Sequence, residues 1–586
     1  MKSFLKYTLA TIVGVLLSSL LLFFIFLAVV GTLISSGEKE VTIKPKSILR
    51  LQFDRPIPDR SSDNPFANFD FKTFRPTTSI GMKDIIDDIQ KAKTDPNIKG
   101  IYLDLGIIIT GWGAIEEIRN ALLNFKESKK FIICYADCYT KGTYYLATAA
   151  DSIFLCPQGE IAFLGMHSEI MFYKGTFEKL GLEPEIIRHG KFKSAVEPYT
   201  NDKMSNENRE QINLLLSAYW NHILDGISKQ RHVDVADLNR MAEELTISNA
   251  KSALGHKLID GIRYKDEVLA RLTKLSGAVS TKKLEFVTLA KYNKTPKSKT
   301  VSPNKIALIY ASGEINMGAG DEESIGAEGL SKTVREARED TSVKAIVLRI
   351  NSPGGSSLAS DIIWRELDLA AKAKPLIVSM GSVAASGGYY IATPADTIVA
   401  DPTTITGSIG VYGMLFNAQN FFKNKLGITT DVTKTNKHSD LGTIFRSITP
   451  DERSFLQTEV ENVYEAFISR VANGRKISKT KVDSIGQGRV WSAQDALKLG
   501  LVNIIGGLDK AIEIAAKKTH LKNYQLVELP KTESRISAFL SEFSSKMRTD
   551  MIKSELGNEQ AIYFSIKKIL YQQGLQIRMS FEISIY

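Results

Sequence analysis

Apolar residues follow three different rhythms along the chain, and each predicts a different kind of element. Thr8 to Ile34, TLATIVGVLLSSLLLFFIFLAVVGTLI, is a run of 27 residues without a charge. A helix crosses a bilayer core with about 20 apolar residues, whereas the apolar part of a cleavable leader is only about 7–15 residues long. The run therefore predicts an uncleaved membrane anchor, and no later stretch is long and apolar enough to span again. Lys2 and Lys6 precede it and Glu38 and Lys39 follow it. Positive charge stays on the cytoplasmic side, which puts the rest of the chain outside the cytoplasm. The second rhythm is short runs rich in β-branched residues: IKGIYLDL, FIICYA, VKAIVLRI and PLIVSM. These read as buried strands. The third is helical spacing in IIDDIQKAK and LSKTVREARE, each just ahead of such a strand. Strands alternating with helices predict an α/β fold with parallel sheets and crossover helices.

The rhythms occur twice. Tyr144-Tyr145 match Tyr389-Tyr390, an offset of 245 (389 − 144), and Asp151 with Asp396 and Gly165 with Gly410 keep the same offset. A register unbroken over about 70 residues marks a duplication of a whole domain rather than a short-period solenoid. The expected organisation is residues 1–46 for the cytoplasmic N-terminus and anchor (helix about 8–34), and 47–288 for the first copy. A linker follows at 289–305, then the second copy at 306–530 and a tail at 531–586. The linker, LAKYNKTPKSKTVSPNK, has five lysines, two prolines and no acid, a composition that predicts exposure. The tail carries amphipathic helical stretches near Ser537–Lys553, and its sequence suggests no role.

Composition narrows the classes. Of 586 residues 43% are hydrophobic and 24% charged, ordinary values for a protein with a core. That excludes a mostly disordered chain and a multi-spanning one. The net charge of +10 is spread along the chain and reads as a solvated basic surface; without a recognition motif or basic–aromatic patch it predicts no nucleic-acid partner. Three cysteines are too few for a disulfide scaffold. Cys134 and Cys138 lack clustered histidines, a poor pattern for zinc, so no metal or cofactor is expected.

The copies differ where chemistry is expected. After its strand the second copy has Asn351-Ser352-Pro353-Gly354-Gly355-Ser356, a turn whose glycines leave N–H groups open to a ligand. The first copy has Gly106-Ile107-Ile108-Ile109-Thr110 there. The second copy also has Ser386 within Ala384-Ala385-Ser386-Gly387-Gly388, ahead of an apolar helical run; the first has Lys141. Small neighbours leave a hydroxyl room for a substrate, but a serine N-cap with packing glycines fits the same pattern. A nucleophilic serine needs a base. None of the seven histidines lies in a familiar triad motif, and no G-x-S-x-G elbow is present. A lysine serves if burial lowers its pKa from about 10.4 to about 7.5, roughly 3 units or about 4 kcal/mol. Lys193, in GKFKSAVEP, is the candidate, although the peptide alone reads equally as a surface turn before Pro198. The repeat register sets Lys193 opposite His438, the alternative base.

Together these residues resemble the signal peptide peptidase A (protease IV) family in its long, duplicated, membrane-anchored form, over nearly the whole chain. The motifs are KSAVEP at 193–198, NSPGGS at 351–356, ASGGYYIA at 385–392, TGSIGV at 406–411 and GRVWSAQDALKLGLVN at 488–503. The resemblance implies two tandem Clp/crotonase-like domains built from ββα units. It implies Ser386 as nucleophile, Lys193 as general base, and backbone N–H groups of Gly354, Gly355 and Gly387 as oxyanion donors. It further implies hydrophobic remnants of signal peptides as substrates and a homotetramer. The location would be the bacterial inner membrane with the catalytic domains on the periplasmic side. Ser194 and Glu197 either orient the lysine or cap its turn. Lys191 depresses the pKa of Lys193 if the two share a face, and does nothing if it faces solvent. Two other readings are an acyl-CoA enzyme of the crotonase fold and a catalytically inactive membrane-tethered scaffold of the same fold.

Overall fold

The computed structural model describes residues 2–35, 41–61, 69–70, 75–76, 79–296, 301–530 and 575–579. The apolar run lies in one helix, α1 (Lys2–Ser35), whose side chains are described only in part. Among the described residues no helix is long and apolar enough to cross a membrane, so the anchor rests on the sequence alone.

In the first half the chain runs β1 (Ser47–Leu51), α2 (Met82–Thr94), β2 (Ile98–Asp104), α3 (Trp112–Phe125), β3 (Phe131–Tyr139), α4 (Lys141–Ala147) and β4 (Ser152–Ile161). It continues through β5 (Glu183–His189), α5 (Asn206–Arg231), β6 (Gly261–Ile262) and β7 (Phe286–Thr288). The helical spacing does its expected work in α2. Ile85, Ile86, Ile89 and Ala92 are buried on one stripe, with Asp84 in the first turn and Lys91 and Lys93 in the last, each sign suiting its end of the helix dipole. Six strands form a sheet in the order β6-β4-β3-β2-β1-β7, parallel throughout.

The second half repeats the plan. It holds β8 (Lys305–Ser312), β9 (Glu314–Asn316), β10 (Ser324–Gly326), α6 (Ala327–Glu339), β11 (Val343–Ser352), β12 (Gly354–Ser356) and β13 (Leu376–Ala385). Then come α7 (Gly387–Ala392), β14 (Thr397–Ala400), β15 (Ile405–Gly407), β16 (Val411–Asn417), β17 (Val490–Ser492), β18 (Ile504–Ile505), β19 (Gln525–Leu529) and β20 (Leu575–Arg578). Its sheet runs β17-β15-β13-β11-β8-β19, with β14 pairing β13 and β18. The first residues of β2 and β11, β3 and β13, and β4 and β14 keep the 245-residue offset. The α/β class and the duplication stand.

A third, mixed sheet joins the halves in the order β10-β9-β12-β20-β16-β5. β5 of the first copy pairs antiparallel with β16 of the second over seven residues, from Glu183 opposite Asn417 to His189 opposite Val411. The copies also share one apolar core, in which Ile306, Val347 and Leu508 pack with first-copy residues. At that junction Arg349 is fully buried. Its guanidinium donates to Asp59 (3.0 Å), Glu117 (2.6 Å) and the Ser379 hydroxyl (2.9 Å).

In the segment 289–305, expected as an exposed linker, the described Lys291 and Lys294 are exposed, but Leu289, Tyr292 and Thr295 are buried. It opens as a short helix, Leu289–Tyr292, with Tyr292 fully buried and its hydroxyl donating to Asp95 at 2.9 Å. Leu289 and Tyr292 lie three apart and share a helix face, a signal hidden by the lysines around them. The stretch Ser537–Lys553 lies outside the described residues.

Candidate active site

Ser386 stands between the end of β13 and the start of α7, with φ 56° and ψ −113°. A non-glycine residue in such a region costs on the order of 1–3 kcal/mol and persists only where its surroundings hold it. Here its N–H donates to the Gly407 carbonyl and its carbonyl accepts from Tyr390 N–H, both at 2.8 Å. The hydroxyl makes no capping bond to α7. Its partner is the Lys193 amine, 2.8 Å away, so the N-cap explanation of this serine does not hold. Glycines follow because side chains would not fit: a Cβ on Gly388 would lie 2.7 Å from the Ser352 carbonyl oxygen.

Lys193 arrives from the other copy. Directly after β5 the chain turns at Gly190 (φ 100°), and Phe192 N–H donates to the Gln487 carbonyl at 2.9 Å. The Lys193 backbone lies so close to Gly488 that a Cβ there would be 2.6 Å from the Lys193 nitrogen; Gly488 opens the GRVWSAQ motif. The amine contacts Ser386 Oγ at 2.8 Å, and Ser408 Oγ and the Ser408 carbonyl at 3.1 Å each. Lys193 has no accessible surface, and burial alone holds its pKa well below the ordinary lysine value of 10.5. A neutral amine has two N–H groups and a lone pair. The two can point at the oxygens of Ser408 and leave the lone pair for the Ser386 hydroxyl proton.

The neighbours of Lys193 sort themselves. Ser194 Oγ donates to Asn208 Oδ1 (3.0 Å), Asn208 Nδ2 donates to Glu197 (2.9 Å), and Gln211 Nε2 donates to Ser194 Oγ (2.9 Å). This buried network pins the turn to α5. Neither Ser194 nor Glu197 bonds the amine. Lys191 is exposed and lies over the Phe192 ring, and burial rather than this cation is what lowers the Lys193 pKa. His438 is 41% exposed at its side chain and pairs with Glu452 at 3.1 Å. Among the described residues no hydrogen bond joins it to Ser386, and the alternative base is set aside.

The three glycines converge beside Ser386. A Cβ on Gly354 (φ 97°) would lie 2.6 Å from the Gly387 nitrogen, and one on Gly387 would lie 3.0 Å from Gly354 Cα. Gly354 N–H already donates to Ser352 Oγ at 3.2 Å; Gly355 stands next to it in β12, buried. Ser408 is a site residue that sequence reading passed over. It lies inside TGSIGV, has φ 51° and is fully buried. Among the described residues no group of three or more histidine, cysteine, aspartate or glutamate side chains could hold a metal ion.

The chain matches the family described as Peptidase family S49 over residues 124–279 and 368–522. The first stretch contains Lys193 and the second Ser386. It is 35% identical over 515 residues to "Serine protease SPPA, chloroplastic" of Arabidopsis thaliana, covering 86% of this chain and 74% of that protein. It is 35% identical over 524 residues to "Protease 4" of Salmonella typhi, covering 86% of this chain and 84% of that one. Among solved structures, a ClpP1 mutant from Listeria monocytogenes matches at 17% identity, covering 35% of this chain and 94% of its own, with a TM-score of 0.25. Two matched domains in one chain, with full-length relatives of the same build, make this a serine peptidase of the duplicated protease 4 type, and it belongs to peptidase family S49.

Proposed function

We propose that Ser386 and Lys193 are the nucleophile and general base of a Ser–Lys dyad, with which this peptidase cuts internal peptide bonds. One observation carries the reading: a hydroxyl and an amine from different copies meet at 2.8 Å with no accessible surface on either. Neutral Lys193 takes the Ser386 proton as Oγ attacks the substrate carbonyl. The oxyanion that forms is held by N–H groups of Gly355 and Gly387, with Gly354 completing the turn. A donor of this kind is worth about 10²–10³ in rate. The lysine ammonium then protonates the leaving amine. Water deprotonated by Lys193 attacks the acyl-enzyme and frees Ser386. A base with a depressed pKa suits both proton transfers near neutral pH.

Substrates on this reading are hydrophobic remnants of signal peptides. The N-terminal apolar run supports it, because an anchor would hold the body at the bilayer surface where such peptides emerge. The charges flanking the run support a bacterial inner-membrane location with the body on the periplasmic side, and the family resemblance supports a homotetramer. The acyl-CoA reading has no use for a Ser386–Lys193 contact. The scaffold reading is separated by experiment. The full-length chain, in detergent, is given a quenched-fluorescence apolar peptide from pH 6 to 10, beside Ser386→Ala and Lys193→Ala. Cleavage lost in both variants, with a wild-type rate that rises with pH, is the expected result. A folded wild type that cuts none of a range of apolar peptides would leave the scaffold standing.

A further inference from the structure

The strand that enters the glycine turn and the strand that ends at the nucleophile do not run evenly side by side. β11 pairs with β13 as far as Ile350 opposite Met380, and the pairing resumes with Ser352 opposite Ala384. One residue, Asn351, therefore faces three, Gly381 to Val383. Such a bulge leaves ladder groups unpaired and re-aims the chain beyond it. Beyond it here, on β13, Ser386 follows Val383 by three residues, and on β11 the Pro353-Gly354-Gly355 turn follows Asn351 almost at once.

The Asn351 side chain fills the bulge. Its Oδ1 accepts from Val383 N–H at 3.2 Å, and its Nδ2 donates to Asp59 Oδ2 at 2.7 Å. There is little play around it, since a Cβ on Gly381 would lie 3.2 Å from Asn351 Cγ. A carboxylate only accepts and a backbone N–H only donates, so an amide held between them has one permitted orientation. Asp59 decides which way the Asn351 amide faces.

Asp59 comes from the first copy. It lies on a strap between β1 and α2, held by Met82 N–H donating to the Pro58 carbonyl and Gly81 N–H donating to Ser61 Oγ, both at 2.7 Å. Arg60 beside it pairs with Glu528 of the second copy at 3.2 Å. Asp59 Oδ1 accepts from Arg349 Nε at 3.0 Å, and Oδ2 serves Asn351. At the place of Asn351 the first copy has Gly106, which has no side chain to span a bulge.

We propose that Asp59 is a positioning residue for the reaction, which acts through the Asn351 amide to set the glycine turn against the strand that delivers Ser386. The first copy on this account supplies two parts of the site, the amine of Lys193 and the carboxylate that orders the oxyanion turn. The proposal rests on the dyad reading only in taking Ser386 as the nucleophile.

The test uses the full chain in detergent and the quenched apolar peptide, with kcat, KM and the urea midpoint read for each variant. In Asp59→Asn the single oxygen left goes to Arg349 and the new amide N–H₂ faces Asn351. The Asn351 amide then turns over, and its own N–H₂ meets Val383 N–H, donor against donor. A misplacement of about 1 Å costs on the order of 10²-fold, so kcat is expected to fall about 10–100-fold with KM within about twofold. Asn351→Ala leaves the Arg349–Asp59 pair in place and should lower kcat to a similar degree. The exchange of the two, Asp59→Asn with Asn351→Asp, puts the acceptor-only group on β11, where one oxygen takes the new amide and the other Val383 N–H. It should bring kcat back to within about threefold of wild type, which a role in stability alone would not do. Wild-type kcat in Asn351→Ala would overturn the inference, and that variant decides if the exchange does not fold. A folded exchange as slow as Asp59→Asn would also overturn it, as would an Asp59→Asn that loses stability but keeps kcat. Failure of the dyad reading shows separately, as cleavage that survives Ser386→Ala.

Discussion

The two copies share a strand order and a 245-residue register, yet only one builds a strained serine. Ser386 has φ 56°, held by bonds to Gly407 and Tyr390. Its counterpart Lys141 opens α4 after a threonine cap and is absent from the residues with positive φ. The same holds for the turn. Gly354 and Gly355 are buried in β12, whereas Ile107 and Ile109 in the first copy are 70% and 55% exposed. The first copy has the same scaffold without the strained serine and the buried glycine turn. What it supplies is a lysine four residues beyond the end of β5, delivered into the other copy by seven residues of strand pairing. The hydroxyl and the glycine turn thus come from one copy and the buried amine from the other.

Six variants, two of them first-copy controls, sharpen or break that comparison, in falling order of effect. Ser386→Ala and Lys193→Ala should each lower kcat/KM by on the order of 10⁴-fold or more, while Lys141→Ala at the matching first-copy place leaves it unchanged; steady-state peptide cleavage reads all three. Arg349→Leu should cost about 3–5 kcal/mol in urea unfolding, because Asp59 and Glu117 would keep buried charge without its partner. Unchanged stability there would mean the copies are held by their shared apolar core and the β5–β16 pairing without help from Arg349. Gly354→Ala should lower kcat about 10²–10³-fold, since its Cβ would meet the Gly387 nitrogen. Gly106→Ala, with open space around it, should stay within twofold of wild type.

The smallest effect concerns stability. Lys193 has a folded pKa below 10.5. As pH falls below 10.5 the unfolded chain gains a proton that the folded chain does not. The folded state is penalised increasingly until pH reaches the depressed folded pKa, and by a constant amount below it. Lys193→Met should therefore stabilise the protein near pH 7 by about 1 kcal/mol, and the gain should vanish above about pH 10.5. A gain that is the same at pH 7 and pH 11 would assign it to packing rather than to the amine.

Long elements with a clear period were legible in the chain. The strands at 98–104, 131–139, 343–352 and 376–385 and the helices at 82–94 and 327–339 sit where the apolar pattern puts them. Ser386 and Lys193 were legible only through motifs. Nothing in either peptide says that residues 193 apart in sequence touch. The third sheet was not legible at all. β12 has three residues and β20 four, too short to show a period, and their pairing joins segments more than 200 residues apart. Arg349 looked like any strand residue, since its partners come from two distant segments. Ser408 carries no pattern beyond small neighbours; its role is set by where the backbone turns.

The most direct test of a site shared between the copies is to map labelling by a serine-reactive fluorophosphonate in the full chain from pH 6 to 10. The account predicts label on Ser386, at a rate that rises with pH and levels off below 10.5. It predicts that Lys193→Ala abolishes the labelling and Lys141→Ala leaves it intact. Label on another serine, or on Ser386 at the wild-type rate in Lys193→Ala, would contradict it.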